Sequence, residues 1–348
     1  MGKHMQLRIE YLVSVVFQSL RIVLLLLFWG RQGIGIGIWS SSAEKLIIPA
    51  NFVFGDSLVD AAQEMGLAAA GFTPPYLAPT TSGPVILQGV NFASGAAGIL
   101  NETGNLFGGR INFDAQLDNF ANTREDVIRS IGWRATSKLL ENAMFSVTIG
   151  SNDFINNYFT PVVSALERNL VPPQLFVNAM ISKFRTQLTR LYMMGGRKVI
   201  VANVGPVGCI PYQRDINPGA GDACVALPNN LAQLFNTQLR SLVTELNSNL
   251  DGSIFVYADV YTIVHDIITN YTAYGFENAN SACCYVAGKY GGLIPCGPSS
   301  KVCPDRSKYV FWDPYHPTDA ANTIIASRLI DGDSRHIWPL NIRQLLSS

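Results

Sequence analysis

The 348-residue chain is poor in charge. Charged residues make up 14% of it, and 25 Lys and Arg balance 25 Asp and Glu. That balance offers no basic surface for the phosphates of nucleic acid and no field to hold an anionic membrane. Histidine is scarce. The four are His4, His265, His316 and His336, and none stands in a His-Glu-x-x-His pattern or an acidic cluster. A metal-dependent hydrolase is therefore the weakest functional reading, and no cofactor or metal is expected. No cysteine precedes Cys209. No internal repeat or low-complexity linker divides the chain, so one large domain is the simplest organisation. No uninterrupted apolar run reaches the roughly 20 residues that a bilayer span needs.

Residues 1–43 nevertheless read as a targeting segment. Lys3, His4 and Arg8 precede an apolar stretch from Tyr11, interrupted by Gln18 and Arg21. The run Ile22–Trp29 follows, and Ser40-Ser41-Ser42-Ala43 supplies small residues for cleavage. The expectation is a cleaved signal peptide ahead of a single domain over 44–348, with a retained anchor as the alternative. The mature chain then has no stable membrane span, is secreted, and works as a monomer in the cell wall or extracellular space. The alternation Gly33-Ile34-Gly35-Ile36-Gly37 lacks a preceding strand and carries no nucleotide-binding weight.

Six cysteines agree with that route: Cys209, Cys224, Cys283, Cys284, Cys296 and Cys303. An even count in a signal-bearing chain favours disulfides. Six allow fifteen pairings, among which the sequence does not choose. The expected pattern is Cys209 with Cys224, and the other four stapling 283–303. A zinc site is the alternative, weakened by the adjacency of Cys283 and Cys284. Asn101-Glu102-Thr103 and Asn270-Tyr271-Thr272 are acceptor sequons, making Asn101 and Asn270 glycosylation candidates.

Strand-like apolar runs at 47–54, 144–149, 198–204 and 254–257 alternate with longer helical stretches. The helical period predicts at least one helix in 114–140 and further helices over 173–194 and 229–250. This alternation points to an α/β fold, a mainly parallel sheet with helices on both faces. Sites in such sheets gather at the carboxyl ends of the strands.

Asn51-Phe52-Val53-Phe54-Gly55-Asp56-Ser57 ends an apolar run in a turn that presents a hydroxyl. Far downstream lies Trp312-Asp313-Pro314-Tyr315-His316-Pro317-Thr318. A hydroxyl becomes a nucleophile when an imidazole takes its proton, and the imidazole needs an acceptor that sets its tautomer. Ser57, His316 and Asp313 supply that set. Acyl transfer also needs donors for a developing oxyanion. Candidates are the N–H of Ser57, the N–H of Gly95 within Asn91–Gly98, and the Asn152 amide in Thr148–Asp153. Plainer roles are a turn for Gly95 and a helix N-cap for Asn152. Asp153 reads as a capping or supporting group, His265 as structural in the helical pattern 260–268, and His336 as a surface residue.

These blocks resemble the GDSL-type esterase/lipase family of plants, within the SGNH hydrolase superfamily. The matching elements are Phe54–Asp60, Asn91–Ala96, Ile149–Asp153 and Trp312–Thr318, with Gly205–Pro211 as a further similar stretch. The resemblance covers residues 47 to about 340. It implies a three-layer α/β/α sandwich and hydrolysis of carboxylic esters. It further implies Ser57, Asp313 and His316 as triad and Ser57, Gly95 and Asn152 as oxyanion hole. The substrate would be an acyl ester, either lipid or an acylated cell-wall component.

One departure stands out. Val59-Asp60 runs straight into Ala61-Ala62-Gln63-Glu64-Met65-Gly66-Leu67, where the family continues through a few dozen further residues. A helix is expected over 61–70, with the wall beside the nucleophile left open and weak turnover of short esters. The alternative function is a catalytically weak or inactive relative that binds or builds rather than hydrolyses.

Overall fold

The computed structural model describes residues 50–60, 73–159 and 171–348. The targeting segment and the helix expected over 61–70 lie outside the described residues. The central sheet is built from β1 (Asn51–Gly55), β2 (Met144–Thr148), β3 (Lys198–Ala202), β4 (Ile254–Ala258) and β9 (Ile337–Trp338). They lie in the order β1-β2-β3-β4-β9, the first four parallel and β9 antiparallel to β4. The strands stop one or two residues before the apolar runs at Ile149 and Val204 do, where the chain turns to form loops. Residues 90–92 extend the sheet beyond β1. The Val53 N–H donates to Val90 O at 3.0 Å, and the Phe92 N–H to Val53 O at 2.8 Å.

Parallel strands covered on both faces read as continuous apolar runs. β3 shows this fully, with all five residues buried, even Lys198, whose Nζ donates to Ser348 O at 2.7 Å. Register divides the sheet into two unlike faces. One carries Phe52, Phe54, Phe145, Val147, Val199, Val201, Phe255 and Tyr257. It packs on α1 (Phe113–Ile131), α3 (Pro173–Met193) and α4 (Ala226–Asn249). Phe54 meets Phe92 stacked at 5.1 Å and Phe120 edge-on at 5.6 Å. Truncating such a ring to Ala costs about 3–5 kcal/mol.

The opposite face carries smaller side chains, among them Val53, Ser146, Thr148, Ile200, Ala202 and Ala258. It looks toward α5 (Val260–Thr269), α6 (Asp319–Asp331) and α7 (Ile342–Ser347). Helices therefore flank the sheet on both sides, and the fold is α/β.

Local signals set the helix ends. Asn112 caps α1 by accepting from Ala115 N at 2.9 Å. Gly132, at φ 78°, ends α1 and begins α2 (Trp133–Asn142), so the predicted stretch 114–140 is two helices. The helix expected from Asn229 starts one turn earlier, at Ala226. Two further two-stranded sheets lie outside the central one. β5 (Asn278–Ala282) pairs with β8 (Tyr309–Phe311), and β6 (Cys284–Tyr285) with β7 (Lys301–Val302).

All six cysteines are paired, as Cys209–Cys224, Cys283–Cys303 and Cys284–Cys296. No thiolate is left for zinc, so the metal alternative for these cysteines does not hold. Among the described residues, no helix is long and apolar enough to cross a membrane.

Candidate active site

The last residue of β1 is the hinge of the site. Gly55 has φ 153°, and a Cβ there would lie 2.1 Å from Thr148 O, so only glycine fits. Its peptide is held by Gln116 of α1. Gln116 Nε2 donates to Gly55 O at 2.8 Å, and Oε1 accepts from Gly55 N at 2.9 Å. The chain then enters a single helical turn, Ser57–Asp60, with Asp56 Oδ1 accepting from Leu58 N at 3.0 Å. Ser57 opens that turn at the carboxyl end of the sheet.

His316 reaches it from the loop after β8. Ser57 Oγ and His316 Nε2 are 2.7 Å apart. Both carboxylate oxygens of Asp313 lie 2.9 Å from His316 Nδ1. A carboxylate has no proton to give, so Nδ1 carries the proton and Nε2 is left to accept from the serine hydroxyl. Asp313 is itself fixed by the N–H groups of Tyr315 at 2.8 Å and His316 at 2.9 Å. Burial pushes the Asp313 carboxyl up, but the bond and charge of His316 and these two N–H groups outweigh it, so its pKa lies below the ordinary value. For His316, burial works to depress the pKa. The hydrogen bond and charge of Asp313, with the charge of Asp56, exceed it, and the imidazole lies above its ordinary value. Thus the structure brings together the three residues that the sequence singles out.

The oxyanion candidates sit around the same hydroxyl. A Cβ built on Gly95 would find Ser57 Cβ as its nearest neighbour, at 4.0 Å. Ala96 beside it has φ 62°, an uncommon conformation for a residue with a side chain. Asn152 is buried. Its Nδ2 donates to Ala97 O at 3.0 Å and its Oδ1 accepts from Asn156 at 2.7 Å. Ala97 engages one of its two amide protons, and Asn152 lines the same cavity as Ser57. The N-cap role falls to Gly150 instead.

Asp153 is fully buried and ties the glycine block to this amide. Its carboxylate accepts from Ile99 N at 2.9 Å, Leu100 N at 3.0 Å and Thr103 Oγ1 at 2.7 Å. Burial pushes its pKa up to about 6 against the lowering effect of those donors. Gly98 is required next to it, since a Cβ would lie 2.7 Å from Asp153 Oδ2.

Sequence reasoning missed Gln116. Its one signal is a polar side chain on the apolar stripe of α1, between Phe113 and Phe120. His265 and His336 stay away from the site. His265 is exposed and stacks on Tyr261 with ring centroids 6.0 Å apart, rather than lying in a core. His336 is half-buried and contacts Arg328 NH1 at 3.3 Å. Asn101 and Asn270 are both exposed.

Ser57 and His316 open on a cavity of about 420 Å³. Val53, Thr148, Ile200 and Ala202 of the sheet form one side of it, and Ile325 and Leu329 of α6 the other.

A family model described as GDSL-like Lipase/Acylhydrolase matches residues 52–329. The chain is 58% identical to GDSL esterase/lipase At4g16230 of Arabidopsis thaliana over 334 aligned positions, covering 86% of this chain and 91% of the relative. It is 43% identical to GDSL esterase/lipase At2g23540 of the same plant, with 85% and 87% covered. GDSL esterase/lipase 7, also from Arabidopsis thaliana, is 35% identical with 93% and 97% covered. In each case the alignment is longer than the part of this chain it takes in. A few dozen positions of each relative thus have no counterpart here.

Proposed function

The chain belongs to the GDSL-like lipase/acylhydrolase family, and from that premise we propose that it is a secreted serine esterase whose nucleophile is Ser57. It is a hydrolase of ester bonds, and the proposal concerns how and where. The observation that carries it is the relay of contacts from Ser57 Oγ to His316 Nε2 at 2.7 Å and from His316 Nδ1 to Asp313 at 2.9 Å.

In this reading Ser57 Oγ attacks the ester carbonyl carbon while His316 Nε2 takes the hydroxyl proton. Charge builds on the former carbonyl oxygen. The N–H groups of Ser57 and Gly95 and the second amide proton of Asn152 receive it. His316 returns its proton to the leaving alkoxide, and an acyl group stays on Ser57. Water then attacks the acyl carbon while losing a proton to His316, the bond to Ser57 Oγ breaks, His316 returns the proton to that oxygen, and the acid leaves. Asp313 keeps the imidazole in the tautomer that accepts from serine and steadies the imidazolium formed on the way.

Secretion is supported by complete pairing of the cysteines and by the exposed sequon asparagines, Asn101 and Asn270. The N-terminal targeting reading rests on sequence alone. The mature chain is proposed to act as a monomer.

The deciding experiment is hydrolysis of a chromogenic ester by purified mature protein and by Ser57→Ala. The expected result is Ser57-dependent turnover, falling by roughly 10⁴ or more in the variant. A folded chain without Ser57-dependent turnover transfers the reading to a binding or structural role, which the positions absent relative to the family would then explain.

A further inference from the structure

We infer that the cavity behind Ser57 is a channel for one neutral, unbranched acyl chain, which makes long-chain esters rather than acetyl groups the substrate class. The inference rests on Ser57 as nucleophile and adds what that site accepts.

Register explains why a channel exists. Thr148, Ala202 and Ala258 are direct partners across β2, β3 and β4, so their side chains point to one face in a row. All three are short and all three line the cavity. Across from them α6 offers Ala326 between Ile325 and Leu329. Small groups on both walls leave a gap that larger side chains would close. The gap begins at Ser57 beside β1 and continues to Ala258 on β4. Adjacent strands lie about 4.8 Å apart, so that path is roughly 14 Å. It matches an extended alkyl chain of roughly a dozen carbons, since bonds of about 1.5 Å in a zigzag advance about 1.25 Å each.

The lining selects the chemistry of the guest. No lysine or arginine lines the cavity among the described residues, so nothing there offsets an acidic or phosphorylated acyl group. Several polar side chains of the wall are already engaged, with one another or with residues behind the wall. Ser146 Oγ donates to Asn51 Oδ1 at 3.4 Å, and Asn203 Nδ2 donates to Tyr257 Oη at 2.7 Å and to Asp259 at 2.9 Å. A sugar buried there would lose hydrogen bonds to water and regain few. A methylene chain loses none, and its transfer from water is favourable.

The order of events assigns the chain to the acyl side. The alcohol must depart before water can attack the acyl-enzyme, so it belongs toward the open mouth. The acyl group stays on Ser57 through both steps and can occupy an inner channel without blocking them.

The test compares p-nitrophenyl acetate with p-nitrophenyl dodecanoate, using wild type and Ala326→Phe. Wild type is expected to show a kcat/KM at least tenfold higher for dodecanoate, the reverse of the short-ester turnover expected from the sequence alone. The phenyl ring in the channel should cut the dodecanoate-to-acetate ratio at least tenfold. A second arm uses Ser57→Ala and a fluorescent dodecanoate analogue displaced by dodecanoate. Adding Ala326→Phe should weaken displacement at least tenfold. Should Ala326→Phe fail to fold by circular dichroism, Ala258→Leu replaces it in both arms. A wild type that prefers acetate, or folded variants with an unchanged ratio, overturns the channel. If Ser57→Ala hydrolyses esters as fast as wild type, the nucleophile assignment fails, and the binding arm alone decides: blocked displacement supports the channel, and absent binding overturns it.

Discussion

Gln116 holds the Gly55 peptide from both sides, its amide nitrogen 2.8 Å from Gly55 O and its amide oxygen 2.9 Å from Gly55 N. The pair lies two residues before Ser57, so a side chain on α1 sets the direction in which the chain leaves β1. Gln116→Leu leaves the Gly55 N–H buried without an acceptor, at a cost of about 1–3 kcal/mol. Gly55 O keeps a donor in Ser94 N. The expected outcome is a lower melting temperature together with a kcat at least tenfold lower. Unchanged kinetics in a destabilised protein would mean that the Gly55 turn is held by β1 pairing alone.

The pH dependence should report His316. It works as a base only when neutral, and its pKa lies above the ordinary value of about 6.5. The acid limb of kcat/KM should therefore fall through a pKa above about 6.5. Asp313→Asn removes the main charge that raises it, leaving burial, which depresses it, against the smaller effect of Asp56. The limb should move to lower pH while kcat/KM drops by roughly 10⁴. An acid limb that does not move when Asp313 is neutralised would assign it to another group.

Asp153 should make stability depend on pH in the sense opposite to a salt-bridged acid. Its folded pKa, about 6, exceeds the reference value of 3.8. The protonated form is favoured in the fold, so this contribution is full below pH 3.8 and is lost as pH rises through 6. The gap corresponds to about 3 kcal/mol. Relative to Asp153→Asn, wild type should therefore lose about 2–3 kcal/mol of stability between pH 4 and pH 7, measured by urea unfolding. A difference that stays constant with pH would show that Asp153 is ionised throughout.

The two bridges near β6 should serve activity as well as stability. Cys283 N donates to Phe311 O at 3.0 Å, and Cys284 N to Trp312 O at 2.6 Å, immediately before Asp313. Replacing Cys283 and Cys303 together by Ala should cost about 2–4 kcal/mol. It should also lower kcat, because the loop bearing Asp313 and His316 loses an anchor. Equal kcat in the variant, assayed well below its melting temperature, would limit the bridge to a stabilising role.

Processing gives a direct check on compartment. Protein recovered from the extracellular medium is expected to begin near residue 44, carry glycan at Asn101 and Asn270, and contain no free thiol. Intact-mass and peptide mapping measure all three. Six reactive thiols in native protein would contradict both the pairing and the proposed route.

The α/β class was legible in the chain because strands buried on both faces must be mainly apolar, and the runs at 51–55, 144–148, 198–202 and 254–258 are, with Asn51, Ser146, Thr148 and Lys198 as their polar members. The long helices announced themselves by their 3.6-residue stripe, and Gly132 by its place between two of them. Element ends were less legible. The apolar character of Ile149 and Val204 serves the packing around the loops, not the strand ladder.

The sequence by itself singled out the candidate reactive groups. Ser57 follows a strand, and Asp313 stands three residues before His316, a spacing short enough for one loop to bring carboxylate and imidazole together. Only the tertiary structure decided what surrounds them. Gln116 reaches Gly55 across 61 residues, and Asp153 reaches Leu100 across 53, so no local pattern marks either contact. The cavity is likewise a product of register. Thr148, Ala202 and Ala258 become neighbours because three parallel strands align them, and α6 faces them because the chain returns after 60 further residues. Side-chain chemistry is written along the chain, whereas distance and burial arise when segments far apart in sequence pack together.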